Sequence, residues 1–292
     1  MAMKFTVLQN PHGILFNPVS ISKAVCRYAD PKPYKEEDLF YFNELWASWD
    51  HHSRFSGPDK EQVLSQINES LISAHNFLKQ SHWLVITLGS AYVYERYDDK
   101  GKAGSVVSNC HKVPTDKFNR RLLSIEEIIK NLGEALEAAR SIRPHLNIIL
   151  TISPVRHLRE GFIENNRSKA NLISAVHKLT GNNVFYFPSY ELIIDDLRDY
   201  RFYAEDLVHP NYAATNYVWE KFIQTAIDPG AAELLNEIEI INNAFQHKPF
   251  NPTSSQHKKF MEQSFKKCQL LKERFPYLDL EQEIKKFSAP TG

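Results

Sequence analysis

The 292-residue sequence is poor in cysteine, and the three it has, Cys26, Cys110 and Cys268, lie far apart and form no C-x-x-C pair. That excludes a disulfide framework and a cysteine zinc site. Neither sign of charge is in excess, since Lys plus Arg and Asp plus Glu both number 35. Without a basic surplus the chain lacks the electrostatic footprint of a nucleic-acid binder. No apolar run approaches the roughly eighteen residues of a membrane helix. The opening residues, Met-Ala-Met-Lys-Phe-Thr-Val-Leu-Gln-Asn-Pro, lack the apolar core of a signal peptide, so the expected location is cytoplasmic. No H-x-H or H-E-x-x-H spacing occurs, which weakens a metal-dependent hydrolase built on His51, His52, His111, His157 or Asp206. No metal or other cofactor is expected.

What is present is ordinary for a globular chain, with 42% hydrophobic and 24% charged residues, enough for one large domain or two small ones. Apolar runs of strand length occur at Trp83–Leu88, at 147–153 before Pro154, and at Val184–Phe187 before Pro188, with Phe5 to Leu8 as a shorter candidate. Between them lie helical stripes. Val63, Leu64, Ile67, Leu71, Ala74 and Leu78 form one, and Ile125, Ile128, Ile129, Leu132 and Leu136 another behind the capping box Ser124-Ile-Glu-Glu127. A further helix is expected over about 168–179. The aromatic set from Leu39 to Trp49 reads as a packed wall, with His51 and His52 near its end as candidate cleft residues. Alternating apolar strands and amphipathic helices predict a three-layer α/β domain with a parallel sheet over residues 1–227. Residues 228–292 read as a C-terminal helical extension.

The chemistry concentrates in Asp206-Leu-Val-His209-Pro210. A turn across this spacing points the Asp206 carboxylate at one ring nitrogen of His209 and leaves the other to take a proton. Pro210 suits the first turn of a following helix. Gly89-Ser90 and the stretch from Ser153 through Arg156 to His157 each follow an apolar strand, so they should share the sheet's carboxyl-end rim with His209. Strand-Gly-Ser-turn is also how a nucleophilic serine could be presented, which makes Ser90 a candidate.

The strings Thr87-Leu-Gly-Ser-Ala-Tyr-Val-Tyr-Glu95, Asn109-Cys-His-Lys-Val-Pro114, Thr151-Ile-Ser-Pro-Val-Arg-His157, Phe187-Pro-Ser-Tyr-Glu191 and the run from Asp196 to Pro210 together resemble the GSCFA family. The resemblance runs from Lys4 to about Phe287. That family is similar to the SGNH hydrolases, which implies a flavodoxin-like sheet and ester cleavage by a Ser–His–Asp set. It implies that Asp206 and His209 are the acid and base pair, and that Gly89 and Ser90 lie in an oxyanion or substrate loop. Asn109, His111, Arg156 and His157 match further motif positions. The sequence departs from the family in one respect: it has no Gly-Ser-Cys-Phe-Ala stretch, whose serine looks like the nucleophile. The resemblance thus implies a chain that starts downstream of the first strand, with a slot left in the sheet.

The expectation is an ester hydrolase or acyltransferase acting on O-acyl, such as acetyl, groups of a small molecule or carbohydrate. His209 would be the base, Asp206 its orienting acid, and Gly89, Ser90, Asn109, His111, Ser153, Arg156 and His157 the oxyanion and substrate contacts. No nucleic-acid or membrane partner is expected. The alternative is a non-catalytic protein that binds a ligand in the same cleft.

Overall fold

The computed structural model describes residues 4–98 and 100–289, with Glu160 described by its backbone alone. Contacts divide the chain into two units, Leu8–Glu220 and a second that joins the residues before Leu8 to those from Lys221 onward.

In the larger unit, α1 (Pro18–Ala29) leads to a hairpin of β1 (Leu39–Phe42) and β2 (Leu45–Ser48) and then to α2 (Lys60–Gln80). Next come β3 (Trp83–Leu88), β4 (Tyr92–Tyr97), β5 (Ala103–Val107), β6 (Phe118–Leu122) and α3 (Ile125–Ile142). The unit continues with β7 (Asn147–Ile152), α4 (Gly161–Leu179), β8 (Val184–Phe187) and the single turn α5 (Ser189–Glu191). The helix α6 (Tyr212–Ala226) runs across the boundary at Glu220.

The three apolar runs form a parallel sheet in the order β3-β7-β8, with Trp83 to Leu88 registered on Asn147 to Ile152. A second sheet, β5-β4-β6, is antiparallel. The fold is therefore mixed α/β, as expected, with the parallel strands confined to three. One face of the parallel sheet carries Ile86, Leu88, Ile148, Leu150 and Ile152 into the main core, where α1, α3 and α4 supply Ile21, Leu132, Leu172 and Val176. The helical stripes face inward, with Leu64, Ile125 and Ile129 partly buried and the other named residues buried, and the Ser124–Glu127 capping box is formed by both of its hydrogen bonds. The opposite face is different. Trp83, Val85 and Phe185 alternate with the core residues and stay about half exposed, so Trp83–Leu88 is not the two-sided buried run its composition suggests. It is an edge strand, with β7 as its one strand partner among the described residues.

Phe5 to Leu8 does not join this sheet. Phe5 makes one isolated bridge, to Leu278, its ring stacks on Tyr277, and the Asp279 N–H donates to the Lys4 carbonyl. Lys4 also pairs with Glu283. These contacts hold Lys4 and Phe5 within the second unit, whose core gathers Leu234, Ile238 and Ile241 of α7 (Ala232–Gln246), Cys268 and Leu271 of α8 (Ser255–Arg274), and Phe287 of α9 (Glu281–Ser288).

The aromatic wall exists, with Phe40 stacked on Trp49 at 3.7 Å between ring centres. His51 is not at a cleft surface. It is 1% exposed and stacked on the equally buried His12 at 4.2 Å, while His12 Nε2 meets the Tyr34 hydroxyl and His51 Nδ1 meets Ser48 Oγ. His52 turns its Nδ1 to the Arg54 N–H. Burial first, then the charge of Arg27, holds the His12 pKa down to about 3. Burial, then His12 and His111, holds that of His51 down to about 2.

A stability prediction follows from that pair. In the unfolded chain both rings protonate near 6.5. Below that value the unfolded chain binds more protons than the folded one, so stability is full above pH 6.5 and falls as acid approaches the folded values. Each ring contributes about 1.4 kcal/mol per pH unit. Urea unfolding at pH 5.5 should show a free energy about 1–3 kcal/mol below that at pH 7.5, with the difference shrinking in a His12→Gln/His51→Gln protein. Equal stabilities at the two pH values would refute the neutral pair.

Candidate active site

Residues 203–210 close on themselves through a Tyr203–Pro210 bridge and a bond from the Ala204 N–H to the His209 carbonyl at 2.8 Å. Within the loop Asp206 does what a short carboxylate does in a turn, accepting backbone N–H groups further along the chain. Its Oδ1 takes those of Val208 and His209 at 2.9 and 3.0 Å, which leaves Oδ2 at 2.7 Å from His209 Nδ1. The backbone N–H of His209, its ring, and then the Val208 N–H hold the Asp206 pKa down to about 2. A carboxylate so fixed places the ring proton on Nδ1 and leaves Nε2 as the acceptor. Pro210 is not in the helix as expected. The bridge to Tyr203 occupies it, and Asn211 opens α6 by accepting the Ala214 N–H.

Arg156 braces this loop. Its backbone N–H donates to the Val208 carbonyl and its Nη1 to that of Leu207, at 3.3 and 3.2 Å, while the guanidinium lies 4.2 Å from the Tyr203 ring centre. Leu207, at φ 55°, holds a left-handed conformation that costs a non-glycine residue energy, so the loop needs such support.

The rim at the carboxyl ends of β3 and β7 is built from Gly89 and Ser153. A Cβ on Gly89 would stand 3.3 Å from both His157 Nε2 and the Phe16 ring, so a larger residue there would press these two side chains back by a few tenths of an ångström. Ser153 Oγ accepts the Val155 N–H. His157 presents its edge to Phe16, and its pKa falls to about 4 through burial first and then the charges of Lys169 and His209. Gly89, Ser153, His157 and His209 line one end of a 490 Å³ cavity, which continues between the open edge of β3 and residues 8–16.

Other predicted residues lie elsewhere. Ser90 is 6% exposed, and its Oγ accepts the Tyr92 N–H and meets Ser168 Oγ at 3.3 Å. The N–H groups of Gly89 and Ser90 both donate to the Phe16 carbonyl, at 2.8 and 3.1 Å. Asn109 and His111 do not line the cavity. His111 is fixed by the Ser48 carbonyl at 2.9 Å and by the Phe40 and Trp49 rings, and Asn109 Oδ1 accepts its N–H. Among the described residues no three His, Cys, Asp or Glu side chains form a metal-binding group.

Sequence reasoning missed the polar face beneath the rim. The helix α4 starts at Gly161, not 168, and its first turns carry Asn165, Ser168 and Lys169, all buried. Asn165 Oδ1 accepts the His157 N–H, Ser168 Oγ accepts the Ala91 N–H, and Lys169 Nζ donates to the carbonyls of Gly89 and Ser153. The signal was available, because these positions extend the Leu172, Ala175 and Val176 stripe by helical spacing.

The model of the GSCFA family matches residues 1–222, and that of the GSCFA domain protein, C-terminal domain, matches residues 238–289. The chain belongs to the GSCFA family. Comparison with curated proteins and with solved structures returned no match. Every rim and loop residue of this GSCFA chain described above lies within the first match, while the second falls on α7 to α9. As a GSCFA protein it has no helix, among the described residues, long and apolar enough to cross a membrane.

The brace on the loop can be tested by substitution. Arg156→Met should speed amide exchange at Val208 and His209 by about tenfold or more, the equivalent of one charged hydrogen bond and one ring contact. Arg156→Lys should restore little of the protection, because an ammonium cannot both stack and reach Leu207. Unchanged exchange in Arg156→Met would show that the loop holds itself.

Proposed function

We propose that this GSCFA chain carries the acid–base part of an SGNH-type ester hydrolase or acyltransferase, acting on O-acyl groups of carbohydrates. The observation that supports it most is the 2.7 Å contact between Asp206 and His209 beside the cavity at the sheet's carboxyl ends. In this reading His209 Nε2 takes the proton of an attacking hydroxyl, whose oxygen bonds to the acyl carbon. The same proton then passes to the departing sugar oxygen as the C–O ester bond breaks, and Asp206 stabilises the imidazolium between the two steps. The neutral His157 lines the same end and offers a ring nitrogen to substrate. The open β3 edge and the half-exposed Val85 beside it fit a flavodoxin-like, three-layer arrangement in which a further strand runs along the cavity.

One observation favours the second reading, a non-catalytic ligand-binding protein. Ser90, the rim serine next to Gly89, is buried, with its Oγ meeting Ser168 of α4 and accepting the Tyr92 N–H of β4, and no hydrogen bond joins it to His209. In that reading the cavity and the dyad bind a ligand without turnover.

Hydrolysis of an aryl acetate by the folded chain separates the two. The ester-hydrolase reading expects measurable turnover, a loss of about a thousandfold or more in His209→Ala, and a smaller or comparable loss in Asp206→Asn. Ser90→Ala should keep most of the activity, and a serine-directed fluorophosphonate should leave Ser90 unlabelled. Full activity in a folded His209→Ala protein would sink the assignment, and binding of acylated sugars without turnover would establish the second reading.

A further inference from the structure

We propose that Lys169 is a positioning residue for this rim, its buried ammonium setting the separation and orientation of the loops that follow β3 and β7. Lys169 is 1% exposed, and its Nζ donates to the Gly89 and Ser153 carbonyls at 2.6 Å each. These carbonyls lie one residue past the last registered pair, Leu88 and Ile152, so the ammonium acts as a cross-link at the point where the ladder ends. The Nζ also lies 5.9 Å from the ring centre of Tyr190, in the turn after β8. One side chain therefore touches the outflow of all three parallel strands.

Its position on the helix completes the device. Asn165 and Ser168, at four and one residues before it, reach His157 and the Ala91 N–H. Below them Leu172, Ala175 and Val176 fix the same face in the core. The helix is thus anchored at one end and holds three backbone segments at the other. No Asp or Glu is within ion-pair distance of Lys169 among the described residues, and burial brings its pKa down to about 7. A buried cation without a carboxylate is costly, and a methionine would fill the same stripe more cheaply. Two converging carbonyls and a site that needs fixed geometry account for its presence. The charge also acts on His157, which it helps keep neutral.

The geometric part of this proposal stands on the contacts alone, and its effect on catalysis rests on the ester-hydrolase reading. The test compares Lys169→Met and Lys169→Gln with Lys178→Met, a control on the exposed side of α4. Amide exchange at residues 89–91 and 153–157 should rise by about tenfold or more in Lys169→Met and less in Lys169→Gln, which keeps a donor. The imidazole titration of His157, followed by NMR, should move up by roughly half a unit or more in both, because a nearby positive charge is gone. With an aryl acetate, kcat should fall about a hundredfold in Lys169→Met while KM changes little, as expected for misplacement of a reacting group. Lys178→Met should match the wild type throughout.

Wild-type exchange and an unmoved His157 titration in folded Lys169→Met would overturn the proposal. So would failure of both Lys169 variants to fold while the control folds, since that assigns Lys169 to folding. If the wild type hydrolyses no ester, the ester-hydrolase reading fails alone, and exchange and titration still decide the role of Lys169.

Discussion

The in-register parallel pairing of β3 with β7 is the constraint on which the rest of the larger unit depends. Leu88 pairs with Ile152, so the next residues, Gly89 and Ser153, emerge side by side, and the Ser153 N–H still reaches the Leu88 carbonyl. A slip of β3 by one residue would turn Ile86 and Leu88 out of the core together. Burial of those side chains is worth about 1.5–3 kcal/mol each, so the register is firmly set. The placement of the rim is a by-product of that hydrophobic choice. Parallel strands that end together leave their loops at one edge, where backbone carbonyls crowd and a donor is needed.

Two different supports meet that need. The polar face of α4 holds the β3 and β7 loops from inside the domain, through buried groups whose desolvation cost the apolar core offsets. The loop of Asp206 and His209 is held from outside, by its own backbone bonds and by Arg156. Arg156 and His157 are neighbours in sequence, so one short segment links the supports: its arginine braces the loop and its histidine is gripped by Asn165. Geometry of this kind keeps the dyad exposed while fixing it. His209 need not be buried to be oriented, because Asp206 satisfies both its backbone N–H and its ring.

Much of this was legible in the sequence, for local reasons. The strands, the α2 and α3 stripes and the capping box are short-range patterns. The Asp206–His209 contact follows from a four-residue turn. The unpredicted features depend on long-range partners. Phe5 to Leu8 has strand composition, yet its bridge goes to Leu278. Trp83 and Val85 read as core, but an edge strand with one uncovered face leaves them half exposed. Lys169 falls on the buried stripe of α4 by its spacing, but nothing local shows that its ammonium meets the converging carbonyls of Gly89 and Ser153. Arg156 and Ser90 sit in motifs that suggest substrate contact, whereas their hydrogen bonds go to the protein's own framework. A pattern shows which residues gather at a rim, but not which way each donor is turned.

Asp206 holds His209 with its proton on Nδ1 and Nε2 free for the cavity. Proton NMR of the folded protein, with nitrogen labelling of the histidine rings, tests this directly. A low-field Nδ1–H resonance from His209 is expected near neutral pH, and it should disappear or move strongly upfield in Asp206→Asn. A His209 ring that carries its proton on Nε2, or an Nδ1 resonance indifferent to Asp206→Asn, would contradict it.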